Sequence, residues 1–183
     1  MKVTILPQYL GGDLINKIVE TAENNSYVPG LVIDSNETLK YNFSDNRICD
    51  LASIDITTNT WLCNMLMHIA NMSNVSYGFD LLYPKEATVT RYKEGGHYIW
   101  HHDIDWRLHP CQRKLSISVQ LTDSADYEGG DLEFKDAPDI DKQMIRQKGT
   151  VIVFPSYLVH RVTPVTKGER KALVSWIEGP SWR

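Results

Sequence analysis

The chain lacks long hydrophobic runs. No apolar stretch approaches the ~20 residues that a membrane span needs, so no membrane partner is expected. Cysteine is scarce: Cys49, Cys63 and Cys111 are odd in number and share no close spacing. That pattern suggests neither a disulfide framework nor a CxxC metal site, and it reads as three small buried hydrophobes. Positive charge is not in excess. Lys and Arg total 19 against 23 Asp and Glu, a formal net charge of -4, which is no footprint for a phosphate backbone, so nucleic acid is not an expected partner. A secretory leader is missing too. The apolar start of the chain is short and is broken at Pro7 and Gln8, so a cytoplasmic location is expected. The Asn-x-Ser/Thr triplets at Asn24, Asn36, Asn42, Asn71 and Asn74 then carry no glycosylation reading.

What is present is ordinary globular composition: 183 residues, 42% hydrophobic and 23% charged. A chain of this size buries roughly 70% of the surface exposed when unfolded, enough for a core without staples. No internal repeat or linker composition divides it, so residues 1–183 read as a single domain. The first part, about 1–84, reads as helical. Asp13 is a candidate helix cap, and Leu14, Ile15, Ile18, Val19 and Ala22 then share a face. Leu62, Met65, Leu66 and Ile69 predict a second helix near 60–72, with His68 on it as an ordinary helix histidine. Residues 31–59 between them read as polar and irregular. From about 85 to 180 the texture becomes that of short strands: 87–92, 115–121, 131–134, 150–154, 158–165 and 171–177, separated by Gly-Gly, Asp-Ala-Pro-Asp and Lys-Gly turns. No stretch between them suits crossover helices. The sheet is therefore expected to be antiparallel, a sandwich or barrel with helices packed outside.

The densest chemical signal runs from Tyr92 to Asp103. A helical reading would pair His97 with His101 as in zinc proteases, but Gly95-Gly96 is a poor helix entry and Tyr98 stands where a catalytic Glu is needed. The strand reading puts His101 and Asp103 on one face and His102 on the other, because side chains at i and i+2 align. His160, on a later predicted strand, is the remaining strong candidate for a third ligand. Two His and one Asp are the donor set of the facial triad in non-heme Fe(II) oxygenases, which leaves three coordination sites open. Ten residues past His160, Arg170 opens the last strand. A guanidinium suits the far carboxylate of a chelating co-substrate, since its planar fork makes two parallel hydrogen bonds. Alternation places Arg170, Ala172, Val174 and Trp176 on one face and Lys171 on the other.

The set Tyr92-x-x-Gly95-x-x-Tyr98-x-x-His101-x-Asp103, then Gly129-Gly130-Asp131-Leu132, Phe154-Pro155-Ser156, His160, and Arg170 followed by Trp176 resembles the prolyl 4-hydroxylase branch of the Fe(II)/2-oxoglutarate-dependent dioxygenases. The likeness spans residues 87 to 178 and is nearest to the small bacterial and phage hydroxylases. It implies a mainly β fold with flanking α-helices: a double-stranded β-helix (jelly-roll) core with an N-terminal helical buttress. It implies His101, Asp103 and His160 as iron ligands and as the catalytic centre, with Arg170 and Tyr92 holding 2-oxoglutarate. Tyr98, Arg113 and Trp176 take substrate-side positions. The implied cofactors are Fe(II), 2-oxoglutarate and O2, with ascorbate in support, and the implied partner is a peptide or protein whose prolyl residue is hydroxylated. His97, His102 and His109 have no slot in the pattern and read as surface or supporting residues. There are departures. Collagen-type enzymes carry Lys where this chain has Arg170, some relatives carry a hydroxyl where it has Leu132, and long acidic substrate extensions are absent. Rival readings are the same chemistry on a free amino acid, other small metabolite or nucleobase, a non-catalytic jelly-roll binding module, and a zinc hydrolase on the same triad. A nucleobase fits poorly with the acidic balance and with Trp176 standing where a second Arg would be. Trp100, Asp105, Trp106 and the 104–112 loop are expected to border the entrance.

Overall fold

The computed structural model describes residues 3–30, 45–104, 111–137 and 139–182, with the backbone alone at 32–33 and 41–42. Asp105, Trp106 and His109 lie outside the described residues. In chain order the elements are β1 (Thr4–Leu6), α1 (Gly12–Glu23), β2 (Val28–Pro29), β3 (Val32–Ile33), β4 (Tyr41–Asn42), β5 (Arg47–Ile48) and β6 (Asp50–Ile54). There follow α2 (Thr60–Asn74), β7 (Pro84–Tyr92), β8 (His97–His101), β9 (Cys111–Gln120), β10 (Tyr127–Gly129), β11 (Leu132–Phe134) and α3 (Lys142–Arg146). The chain closes with β12 (Val151–Pro155), β13 (His160–Val162), β14 (Val165–Gly168) and β15 (Arg170–Pro180).

Two antiparallel sheets carry the fold. The larger has seven strands in the order β1-β12-β9-β15-β7-β6-β2, and the smaller has four in the order β11-β13-β8-β5. Short pairs join β10 to β14 and β3 to β4. The sheets pack face to face, with Phe134 of β11 against Phe154 of β12 at 4.9 Å between ring centroids. The far face of the large sheet is covered by α1 and α2. Ile15, Ile18 and Ala22 of α1 and Leu62, Leu66, Ile69 and Ala70 of α2 share one buried cluster with Val89, Leu115, Ile117, Val119, Val151, Val153 and Leu173. Each such aliphatic side chain contributes roughly 1.5–3 kcal/mol by leaving water. This is a jelly-roll core on a helical buttress.

Strand β9 shows why this architecture suits a site. Its Leu-Ser-Ile-Ser-Val-Gln alternation is the pattern of a strand with one wet face, yet Ser116, Ser118 and Gln120 are all buried. The apolar residues face the helices and the polar ones face the other sheet. The sandwich interior is therefore polar-lined on one side, which is unusual for a core and ordinary for a cavity that holds a charged ligand.

Several local expectations are corrected. Residues 47–54 are not irregular: they form β5 and β6, with β6 paired to β7 from Asp50↔Arg91 to Ile54↔Ala87. Their short polar run hid a strand because only Ala52 and Ile54 of β6 are buried. Asp13 does not cap α1. Gly11 holds that position and Asp13 sits in the first turn, where its charge still favours the helix N-terminus. Leu14 is exposed rather than on the buried face. The 158–165 run is two strands, β13 and β14, and α3 within 142–146 had no counterpart in the sequence reading. All three cysteines are free; Cys49 is buried and the other two are half-buried. No described helix is long and apolar enough to cross a membrane.

Candidate active site

Strand pairing brings the candidate ligands together. His101, last in β8, lies opposite His160, first in β13, so residues 59 positions apart in the chain present neighbouring rings, 4.2 Å between centroids. Asp103 follows β8 by two residues, and its backbone is pinned by donation to the Ser156 carbonyl at 2.8 Å. One ligand atom from each of His101, Asp103 and His160 can be chosen so that all lie within 4.8 Å of one another. Asp103 spans the two rings: Oδ1 is 3.7 Å from His101 Nε2 and Oδ2 is 3.6 Å from His160 Nε2.

The ring orientations follow from backbone contacts. His101 Nδ1 lies 2.7 Å from the Ile99 carbonyl and His160 Nδ1 lies 2.9 Å from the Leu158 carbonyl. In each case a carbonyl two residues upstream takes the Nδ1 proton and leaves the Nε2 lone pair facing its counterpart, as metal-ligating histidines require. His97 is different. Both of its nitrogens meet carbonyls, those of Gly95 and Asp45, so it has no free donor atom for a metal. Ser116 Oγ donates to Asp103 Oδ2 at 2.6 Å and lies 3.0 Å from Ser156 Oγ. This pair of hydroxyls fixes the carboxylate rotamer. Ser156 belongs to the Phe154-Pro155-Ser156 motif and Ser116 to the predicted strand 115–121, but only the pairing of β9 with β12 brings them behind Asp103.

Electrostatics prepare the cluster. Burial pushes the Asp103 carboxyl up, but the imidazoles of His160 and His101 and the Ser116 hydroxyl outweigh it and hold it below the usual range. His101 is lowered to about 4, first by burial and then by His160. Its imidazole is neutral at pH 7, the form that binds a cation. This has a consequence for the metal-free protein. Between pH about 6.5 and about 4 the unfolded chain takes up a proton that folded His101 refuses. Stability is thus fully present above that window and falls as pH drops through it, by up to ~3 kcal/mol. Urea unfolding across the window checks this: the slope with pH should be smaller in His101→Gln, and equal slopes would contradict it.

The triad opens on a cavity of about 590 Å³ between the sheets, lined among others by Tyr92, Tyr98, Arg113, Arg170 and Trp176. The expected metal, co-substrate and substrate-side residues therefore meet in one place, whereas Trp100 is not part of the lining. Tyr98 stacks on His101 at 3.5 Å between centroids. Arg113 lies 3.8 Å over the Trp176 ring and pairs with Glu86 at 2.7 Å. Arg170 is 2% exposed and stands opposite Tyr92 in the β15–β7 register, its guanidinium 5.7 Å from that ring. Its Nε is buried without a hydrogen-bond partner, and among the described residues Arg170 makes no ion pair. Lys171 points the other way, to Glu23 and Glu169. A buried guanidinium with no carboxylate beside it is costly unless an anion completes it. Arg47 of β5 also lines the cavity, 4.8 Å over the Tyr98 ring with Nε donating to Cys49 Sγ at 3.2 Å. Sequence reading missed it because it lay in the run taken as irregular.

The comparisons with known proteins agree with this geometry. The family description "2OG-Fe(II) oxygenase superfamily" matches residues 87–178, half of the chain. The chain belongs to that superfamily. Among curated relatives, a "PKHD-type hydroxylase" of Sphingopyxis alaskensis is 29% identical over 94% of this chain and 77% of its own length. A second, from Idiomarina loihiensis, is 34% identical over 54% of this chain and 46% of its own length. The fold is shared with a prolyl-4-hydroxylase of Pseudomonas putida at a TM-score of 0.71 and 19% identity, over 98% of this chain and 93% of that one. The oxygenase is a 2-oxoglutarate-dependent dioxygenase, and its cofactors are Fe(II), 2-oxoglutarate and O2. The residues present fit them: two imidazole nitrogens and one carboxylate suit a ferrous ion with open positions, and the orphaned Arg170 suits a dicarboxylate.

Proposed function

We propose that this oxygenase hydroxylates an unactivated C–H bond of a prolyl residue in a peptide or protein. His101, Asp103 and His160 would hold the iron, and Arg170 with Tyr92 the distal carboxylate of 2-oxoglutarate. The observation that carries the reading is the pairing of the three-donor cluster with an uncompensated buried guanidinium in one cavity. The relatives named as hydroxylases support the reaction class, and the cavity walls support a substrate of some size. When bound, iron with 2-oxoglutarate and O2 supplies the oxidising equivalents for hydroxylation, releasing succinate and CO2.

The chain's own contribution is placement. Ser116 and Ser156 orient the Asp103 carboxylate, and the Ile99 and Leu158 carbonyls orient the imidazoles. A ferrous ion with one carboxylate ligand would carry +1, the dianionic co-substrate would turn this to -1, and Arg170 would offset the remainder. Phe134 and Phe154 close the inner side around His160 and exclude water. Tyr98, Arg113 and Trp176 border the space left for the primary substrate. A reducing cytoplasm, the location we propose, suits a ferrous site and three free cysteines.

The test is an oxygen-consumption and succinate assay with Fe(II), 2-oxoglutarate and ascorbate, run across proline-containing peptides, free amino acids, small metabolites and nucleosides. A proline peptide should couple succinate release to a mass gain of about 16 Da, one oxygen atom. Coupling only with a free amino acid would move the substrate class. Turnover with zinc in the absence of O2 would replace the reaction.

A further inference from the structure

Arg170 enters the cavity past the turn formed by Gly129 and Gly130, and the turn is built around it. Gly129 and Gly130 have φ of 71° and 63°, the left-handed region that disfavours a side chain. A Cβ at Gly130 would lie 2.9 Å from Val165 Cγ2, 3.1 Å from Arg170 Cδ and 3.5 Å from the Tyr127 ring. The stem of Arg170 therefore rests on bare backbone, and moving the turn moves the guanidinium. One side of the turn is fixed by the strands: Gly130 donates to the Pro164 carbonyl at 3.1 Å, and the Asp131 amide donates to Thr163 Oγ1 at 2.8 Å.

The other side is held mainly by Arg146, in the last turn of α3, with Lys142 of the same helix 3.7 Å from Asp131 and β10 paired to β14. Its Nη1 donates to the Gly129 carbonyl at 2.6 Å and its Nη2 to the Tyr127 carbonyl at 2.8 Å. The same guanidinium pairs with Asp131 and lies 4.2 Å over the Tyr127 ring. Four contacts from one planar group thus converge on residues 127, 129 and 131, either side of the glycine that seats Arg170. A two-pronged donor can fix two carbonyls at once, which an ammonium cannot do in the same geometry.

We propose that Arg146 is a positioning residue for the co-substrate: it clamps the Gly129-Gly130 turn and through it sets where Arg170 presents its guanidinium to 2-oxoglutarate. Arg146 itself touches neither ligand nor metal. The proposal rests on the reading of Arg170 given above. Its neighbour Glu133 offers an internal control. Glu133 binds Lys142 of α3 and Arg161 of β13; Lys142 also lies 3.7 Å from Asp131, so Glu133 ties the same helix to β11 and β13 and meets the turn only through that longer ion pair, not at the Gly129 and Tyr127 carbonyls.

The experiment is an anaerobic titration of 2-oxoglutarate into the Fe(II)-loaded protein, following the visible charge-transfer band, with Fe(II) affinity measured separately. Arg146→Gln should raise the dissociation constant for 2-oxoglutarate about tenfold or more, the usual scale for supporting contacts. Fe(II) affinity should be unchanged, and KM for 2-oxoglutarate should rise while kcat at saturation holds. Glu133→Gln should lower thermal stability and leave 2-oxoglutarate binding as in the parent. Arg146→Lys keeps the charge but not the fork, so it should weaken binding too; it carries the test if Arg146→Gln fails to fold. Parent-like 2-oxoglutarate affinity in the Arg146 variants, or an equal loss in Glu133→Gln, would overturn the clamp alone. Absence of 2-oxoglutarate binding by the parent protein would overturn the reading of the site and the clamp with it.

Discussion

Asp103→Ala is expected to reduce succinate formation to background and to remove most Fe(II) affinity, while the protein stays folded. Asp103 is the only acid in the cluster, so its loss leaves two imidazoles facing a dication with no negative charge to offset it. The fold is expected to survive because Asp103 lies beyond the end of β8, and Ser116 retains Ser156 as a hydrogen-bond partner. Asp103→Asn sharpens the comparison. An amide oxygen can still accept from Ser116 but carries no charge, so Asp103→Asn should keep the local geometry and still lose metal. Metal titration and a succinate assay on both variants measure this. Parent-rate succinate from Asp103→Ala would remove Asp103 from the ligand set.

Arg170→Met has effects of opposite sign on binding and on stability. Methionine replaces an uncompensated guanidinium with an apolar side chain of similar reach, so the ligand-free protein should melt no lower than the parent. Buried ionic groups replaced by well-packed apolar ones are commonly neutral or stabilising by about 1–4 kcal/mol. Binding of 2-oxoglutarate should weaken by about 10²–10⁴-fold, the equivalent of the ~3–5 kcal/mol lost when a buried charge is left without its partner. A purely structural arginine would show the reverse, with lower stability and unchanged affinity. Thermal melts without ligand, together with the half-saturation for 2-oxoglutarate, separate the two. Unchanged half-saturation would refute the co-substrate role.

Much of the site was legible because strand periodicity is local. The i, i+2 rule put His101 and Asp103 on one side, although Asp103 lies past the end of β8 and the exposed His102 also lines the cavity; the same rule separated Arg170 from Lys171, as the cavity and the Glu23 pair show. The strongest strands were found, since β7, β9, β12 and β15 are long or almost wholly buried, but β7 and β9 begin three and four residues earlier and β15 runs three residues further than their patterns suggest. What failed was weakly patterned. β5 and β6 are short and mostly half-exposed, so they look like loop, and Arg47 was lost with them. The five-residue helix α3 is too short to show a period, and Arg146 was lost with it.

By itself the sequence determined the donor types, their faces and an antiparallel sandwich or barrel, because side-chain chemistry and alternation are properties of neighbours in the chain; the jelly-roll form followed from the family resemblance. Only the tertiary structure decided that His160 stands beside His101, that Ser116 and Ser156 back Asp103, and that the polar face of β9 looks inward. Those relations are set by register between strands far apart in the chain. Register depends on which faces find partners to pack against, and no local pattern contains it.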